Sequence, residues 1–321
     1  MCIRDSFKTT SGGDSWSATG LAGMYVNALA VSPGYANDRT LWAATLNGGV
    51  FKSSDGGTSW NASSAGLTNT QVRSLVVSPG FASDRTLFAG TGGGGVFIST
   101  DGGNSWNAAG LTGMYVNALA ISPAYTTDHT VFAGEGSSGV FLSTDSGNSW
   151  NAVNSGLVNP QLVSLAISPG WVSDGTLFAG TYQTGVFRST TRGSFWSLAS
   201  TGITNLYVYA FAVSSGYATD KTLFAGTQGA GIFRSTDGGD TWMKASRSPG
   251  HPWVQGLAIS PGFASDHTLF AVTWGGGAYK STDGGDTWSE ANNGLADLNL
   301  QALALSPGFV NDQTLFVGAF S

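Results

Sequence analysis

Charge is what this chain has least of. Lys, Arg, Asp and Glu make up 10% of its 321 residues, and the formal net charge is −6. There is no cluster of lysines and arginines to follow a phosphate backbone or an anionic bilayer, so neither nucleic acid nor a lipid surface is an expected partner. Cysteine is nearly absent, Cys2 being the only one, which excludes an internal disulfide and a cysteine-ligated metal. No apolar run approaches the roughly 18 residues of a membrane-spanning helix. No stretch repeats apolar residues at helical spacing, so amphipathic helices are not expected. No G-x-x-x-x-G-K-[ST] and no G-x-S-x-G occurs, which removes a nucleotide P-loop and a hydrolase nucleophile elbow. Hydrophobic residues still reach 41%, enough for a packed core and against disorder.

Glycine is what the chain has most conspicuously, 48 residues of it, and its placement is periodic. Ser-Thr-Asp-Gly-Gly-Asp-Thr-Trp at residues 235–242 returns almost unchanged at 281–288, and in close variants at 53–60, 99–106 and 143–150. Degraded copies at 9–16 and 189–196 keep the closing tryptophan where Ser11 and Thr191 replace the aspartate. A period of about 45 residues marks an array of supersecondary units. Within one unit, residues 72–78, 86–90, 96–100 and 106–108 are strand-length apolar segments separated by turn formers. Four short antiparallel strands per period describe a propeller blade. The expected fold is therefore all-β, a β-propeller of seven blades. Residues 7–19 supply only two outer strands and residues 299–321 only two inner ones, so one blade is expected to be closed by both ends of the chain.

In the turn, Asp101 is expected to accept from backbone N–H groups two or three residues on, with Gly102 and Gly103 taking positive φ. Trp106 then opens the outermost strand and wedges between blades. Asp55/Trp60, Asp145/Trp150, Asp237/Trp242 and Asp283/Trp288 repeat the assignment. The Ser-x-Asp-x-Gly-x-Thr-Trp pattern resembles the Asp-box, or bacterial neuraminidase repeat, over residues 7–321. That repeat is found in sialidases, sortilin-type receptors, xyloglucan-degrading glycosidases and photosystem II assembly factors. The resemblance implies a propeller; because the group spans enzymes, receptors and assembly factors, it implies no single activity. Phe-Arg-Ile-Pro and the arginine cluster of sialidases are missing.

The first six residues, Met-Cys-Ile-Arg-Asp-Ser, fall outside the repeat and look like the translation of a transposon end used for sequencing libraries. The expectation is a single propeller domain over residues 7–321, with Cys2 foreign to it and the native start missing, the alternative being a fragment of a longer chain. The G-x-G-x-x-G matches at residues 90–95 and 134–139 lead into a second strand, so they are read as hairpin turns and no dinucleotide cofactor is expected.

The repeat also sorts function from architecture, since what recurs in every period serves the scaffold. The glutamates are Glu135 and Glu290, and the one singular aspartate within residues 7–321 is Asp297. A glycosidase needs two carboxyls about 5–9.5 Å apart, which Glu135 and Asp297 would supply only by converging across the ring. The pairs Asp237/Asp240 and Asp283/Asp286 invite calcium, but capping of their own turns is the simpler use, and no metal site is expected. Aromatics gather on the face that carries the inter-blade connections. Tyr25, Tyr115, Tyr207 and Trp253 share one position at the start of inner strands, and Tyr182 and Trp274 stand in glycine turns, with Arg73 nearby. These residues are candidates for gripping a glycan or a protein, or else for capping the central channel. The chain is expected to act as an exported (secreted or periplasmic), monomeric, non-catalytic binding propeller, the alternative being a sialidase-like or xyloglucanase-like glycoside hydrolase with its catalytic residues partly outside this sequence.

Overall fold

The computed structural model describes residues 5–320; Cys2 and Ser321 lie outside the described residues. Seven four-stranded antiparallel sheets succeed one another along the chain. Blade 1 consists of Val26–Val31, Leu41–Thr45, Val50–Ser53 and Asn61–Ala62, counted from the inner strand outward. Blades 2 to 6 repeat it, with inner strands Val72–Val77, Val116–Ile121, Leu162–Ile167, Val208–Val213 and Val254–Ile259. Blade 7 is composite. Its inner pair is Leu300–Leu305 and Leu315–Ala319, and its outer pair is Ser6–Thr9 and Ser17–Ala18. Ser6 pairs with Gly318 and Thr9 with Leu315, and the inner strand of blade 7 packs beside that of blade 1. The chain is a seven-bladed β-propeller closed by its two terminal segments, as the complementary half-blades imply.

The core lies between blades. Trp42 and Val50 of blade 1 bury against Phe81, Leu87 and Trp106 of blade 2. Second strands such as Leu87–Thr91 are buried along their whole length, which explains their uniformly apolar and small residues. At every interface a second-strand aromatic meets an aromatic of the next blade edge to face. Trp42 on Phe81, Phe132 on Trp171 and Phe316 on Tyr35 are examples; the seven centroid separations run from 4.9 to 5.9 Å. Such pairs add about 0.5–1.5 kcal/mol each beyond the area they bury.

The second ring of each pair sits on an element that sequence periodicity does not reveal. Phe81–Asp84, read as loop, is a single α-turn, and its counterparts in the other blades are the same. One turn is too short for a 3.6-residue pattern to register. The Asp84 carboxylate holds it, accepting from Ser78 Oγ at 2.5 Å and Thr86 N at 2.9 Å.

The Ser-x-Asp turn is built one residue wider than expected. Asp101 Oδ1 accepts from Ser105 N, four residues on, at 2.9 Å, while Oδ2 takes the Ser105 hydroxyl at 2.5 Å. Ser99 Oγ accepts from Gly103 N at 2.8 Å and donates to Asp101. In blade 4 a hydroxyl takes over, Thr191 Oγ1 accepting from Phe195 N at 2.8 Å. Trp196 there is still only 1% exposed.

Each tryptophan docks onto the segment leaving the preceding blade. Trp106 donates its indole N–H to Ser63 O at 2.7 Å and its backbone N–H to Ala65 O at 2.8 Å. Gly66 lies directly on it: a Cβ there would be 2.1 Å from Trp106 O, and φ is +88°. Trp16, Trp150, Trp196 and Trp242 donate to equivalent carbonyls and Trp60 to Thr19 Oγ1. Trp288 instead donates to Gly285 O within its own turn.

Candidate functional site

The inner strands carry the same irregularity in every blade. In blade 1, Val26 pairs with Thr45 and Ala28 with Ala44, so Asn27 is an extra residue with no partner, a β-bulge. The shift recurs at Arg73, Asn117, Val163, Tyr209, Gln255 and Gln301. A bulge re-aims a side chain out of the pleat, and here it turns all of them into one cavity on the ring axis. The cavity measures about 580 Å3, and every one of these bulge residues lines it. Asn27 Nδ2 and Asn117 Nδ2 each donate to the neighbouring blade's carbonyl, Val72 O and Leu162 O, at 2.9 Å.

A second tier surrounds these residues at the mouth. Leu46, Gln228, Trp274 and Phe320, each just past a second strand, line the cavity together with Trp253. Their backbone N–H groups bond to residues preceding the inner strands: Trp274 N to Trp253 O at 3.0 Å, Gln228 N to Tyr207 O at 3.0 Å, Phe320 N to Asn299 O at 2.8 Å. Blades 2 and 3 have Gly92 and Gly136 at the equivalent places, so the mouth is lopsided. One arc is aromatic: Trp274 stacks obliquely on Phe320 at 5.1 Å and Phe320 on Tyr25 at 5.0 Å, while Tyr182 meets Tyr207 edge to face at 4.7 Å. Across the ring from it stand Arg73 and Asn117 of blades 2 and 3 beside the glycine gap, while Asn27 belongs to blade 1, next to the Phe320 end of the arc.

Of the residues singled out in the sequence, Arg73, Trp253 and Trp274 line the cavity. Tyr25, Tyr115, Tyr182 and Tyr207 belong to the outer tier, where they abut lining residues or one another without themselves lining the cavity. Trp253 and Tyr115 are 42% and 52% exposed. The bulge residues other than Arg73 are not legible as carboxylates or rim aromatics. Their signal is variability, since one position reads Asn, Arg, Asn, Val, Tyr, Gln, Gln directly after an unvarying Val or Leu.

The carboxylates on this face are engaged elsewhere. Glu135, 3% exposed, accepts from Tyr115 N, Ser137 N and Ser138 N. Burial pushes its carboxyl up, but the Ser137 and Ser138 donors outweigh burial and hold the pKa below the ordinary value. Asp297, 7% exposed, accepts from Asn299 N at 2.8 Å. Glu135 belongs to blade 3 and Asp297 precedes blade 7, and neither lines the cavity. On the turns, Asp240 pairs with Arg188 at 2.5 Å and Asp286 accepts from Ser246 Oγ. Among the described residues no group of three or more His, Cys, Asp or Glu is placed to hold a metal ion, and no helix is long and apolar enough to cross a membrane.

No protein-family model and no curated protein sequence matches this chain. Solved structures do match. The GH74 xyloglucanase from Xanthomonas campestris superposes with a TM-score of 0.71 at 18% identity, covering 93% of this chain and 51% of the enzyme. The extracellular domain of BT4673 from B. thetaiotaomicron gives 0.68 at 15% identity, over 92% of this chain and 37% of the other. YCF48 from Cyanidioschyzon merolae gives 0.62 at 16% identity, over 92% and 95%. This chain thus spans about half the length of the xyloglucanase it matches. At such identities the likeness is one of architecture: the chain shares the propeller fold with proteins of several kinds.

Proposed function

We propose that this chain is a non-catalytic binding propeller that takes up a glycan at the mouth of its central cavity. The observation that carries the reading is the lopsided mouth. Trp253, Trp274 and Phe320 of blades 6 and 7 line one side of an opening of about 580 Å3, Asn117 of blade 3 lines the side across the ring, and the amide of Asn27 in blade 1 adjoins the aromatic arc. Aromatic faces stack on the C–H faces of sugar rings, and amides satisfy hydroxyls with both donors and acceptors. We read the repeated Ser-x-Asp turn as an Asp-box, serving the scaffold, and the protein as an exported monomer.

Titration of the intact protein with an oligosaccharide array tests the reading. Trp253→Ala and Trp274→Ala should each weaken binding several-fold to about tenfold. Unchanged affinity in both variants would remove the site. The half-length match to a xyloglucanase favours a second reading, in which this propeller is one part of a hydrolase. Against it stands Glu135, whose lowered pKa suits a hydrogen-bond acceptor and not a general acid. Turnover of chromogenic glycosides that vanishes in Glu135→Gln or Asp297→Asn would establish the second reading.

A further inference from the structure

Among the described residues Arg73 is the one charged side chain lining the cavity, in a chain whose net charge is −6. Its surroundings hold it ready and leave it uncompensated. Nη1 donates to Asn117 Oδ1 at 3.1 Å, and the guanidinium carbon lies 5.6 Å from the centroid of the Tyr115 ring. Those contacts fix the plane of the fork and leave its other donors for a ligand. The ion pairs among the described residues are Arg188 with Asp240 and Lys280 with Asp14, and Arg73 takes part in neither. Glu135, the carboxylate of the adjoining blade, is occupied by Tyr115, Ser137 and Ser138.

Gly92 makes the room. A Cβ at that position would stand 3.0 Å from Arg73 Nε and 2.9 Å from Gln71 Oε1. Blades 1, 4, 5, 6 and 7 carry Leu46, Tyr182, Gln228, Trp274 and Phe320 there. The position is closed by a side chain in most of the ring and opened beside the arginine.

Resting on the glycan-binding reading, we propose that the ligand is an acidic glycan whose uronate carboxylate pairs with Arg73 while a neighbouring sugar stacks on the Trp253–Trp274 arc. A planar carboxylate matches the guanidinium fork with two parallel hydrogen bonds. Among the described residues no carboxylate side chain lines the cavity to repel it locally. A single cation matches one monoanionic sugar at this point and not a run of phosphates.

Calorimetric titration of the full chain with oligogalacturonate and oligoglucuronate, each beside its carboxyl-reduced neutral counterpart, tests the proposal. The uronates should bind about tenfold to a hundredfold more tightly than their neutral counterparts, and the margin should shrink as NaCl rises to 0.5 M. Arg73→Gln should erase the margin, and Arg73→Lys should keep part of it because the charge survives without the fork. Arg73 is exposed, so an unchanged thermal midpoint is expected in both variants; the salt titration of the unaltered protein decides the matter should either fail to fold. Equal affinity for acidic and neutral sugars, lost in Trp253→Ala, would overturn the carboxylate assignment and leave glycan binding standing. Tighter binding of a sulfated oligosaccharide, or equal binding of an acidic peptide, would also overturn it. Binding of none of these sugars would overturn both this inference and the reading it rests on.

Discussion

The two signature residues of the repeat should differ sharply in what they contribute, and Trp106 and Asp101 make the comparison within one turn. Trp106 is 2% exposed. Burying roughly 150–250 Å2 at about 25 cal/mol per Å2 amounts to about 4–6 kcal/mol gross. Truncation to alanine leaves a cavity between blades 1 and 2 and strips Ser63 O of its indole donor, so Trp106→Ala should cost about 3–5 kcal/mol. Asp101 lies at the surface and accepts from Ser105 N, Ser105 Oγ and Ser99 Oγ. Those donors can turn to water when the carboxylate goes, so Asp101→Ala should cost about 1 kcal/mol. Trp106→Phe keeps most of the area and loses the indole N–H, for about 1–2 kcal/mol. Urea unfolding followed by far-ultraviolet dichroism, with equal slopes required across the series, gives all three values. Blade 4 is a built-in replicate, because Trp196 keeps its bond to Val153 O at 2.7 Å where Thr191 has replaced the aspartate. If Asp101→Ala proved as costly as Trp106→Ala, the packing argument would be wrong and the turn would be the main restraint.

Acid should loosen the ring over a defined window. The Ser59 hydroxyl and N–H hold the Asp55 carboxyl down to about 2, and in Asp237 and Asp283 the Thr241 and Thr287 donors outweigh burial to reach about 2 as well. A folded pKa below the ordinary 3.8 stabilises in full above about pH 4, and that contribution is lost as pH falls toward 2. A thermal midpoint that stays flat from pH 4 to pH 2 would contradict this. Gly66→Ala should cost about 3 kcal/mol, since its Cβ would stand 2.1 Å from the carbonyl oxygen of Trp106 at a φ of +88°, whereas Gly113→Ala, strained by φ of +86° alone with nothing within 4 Å, should cost less. Equal midpoints in denaturant for the two variants would show that the close approach is relieved cheaply.

Much of the architecture was readable in the chain because a repeat reports on itself. A strand of alternating or continuous apolar residues, a glycine turn and a tryptophan, seen seven times, leave few topologies, and half-blades at the two ends point to one composite blade. The α-turns such as Phe81–Asp84 were not readable, being shorter than the period by which helices are recognised. The site was legible only in part. Trp253 stood out as one of four aromatics at a shared position, and Trp274 and Arg73 because they put a large or a charged group where several other blades carry small or polar residues.

Asn27, Asn117, Tyr209, Gln255 and Gln301 are ordinary polar residues when read along a strand, where alternation alone decides which face each takes. The β-bulge adds one residue to every inner strand and reverses that assignment locally, and it is set by pairing with a second strand some 20 residues away. The sequence by itself determined the repeat, the blades and their number, because local turn chemistry and apolar patterning act over a few residues. Only the tertiary structure decided which side chains share the axial cavity, because that depends on how seven distant strands meet around a common axis.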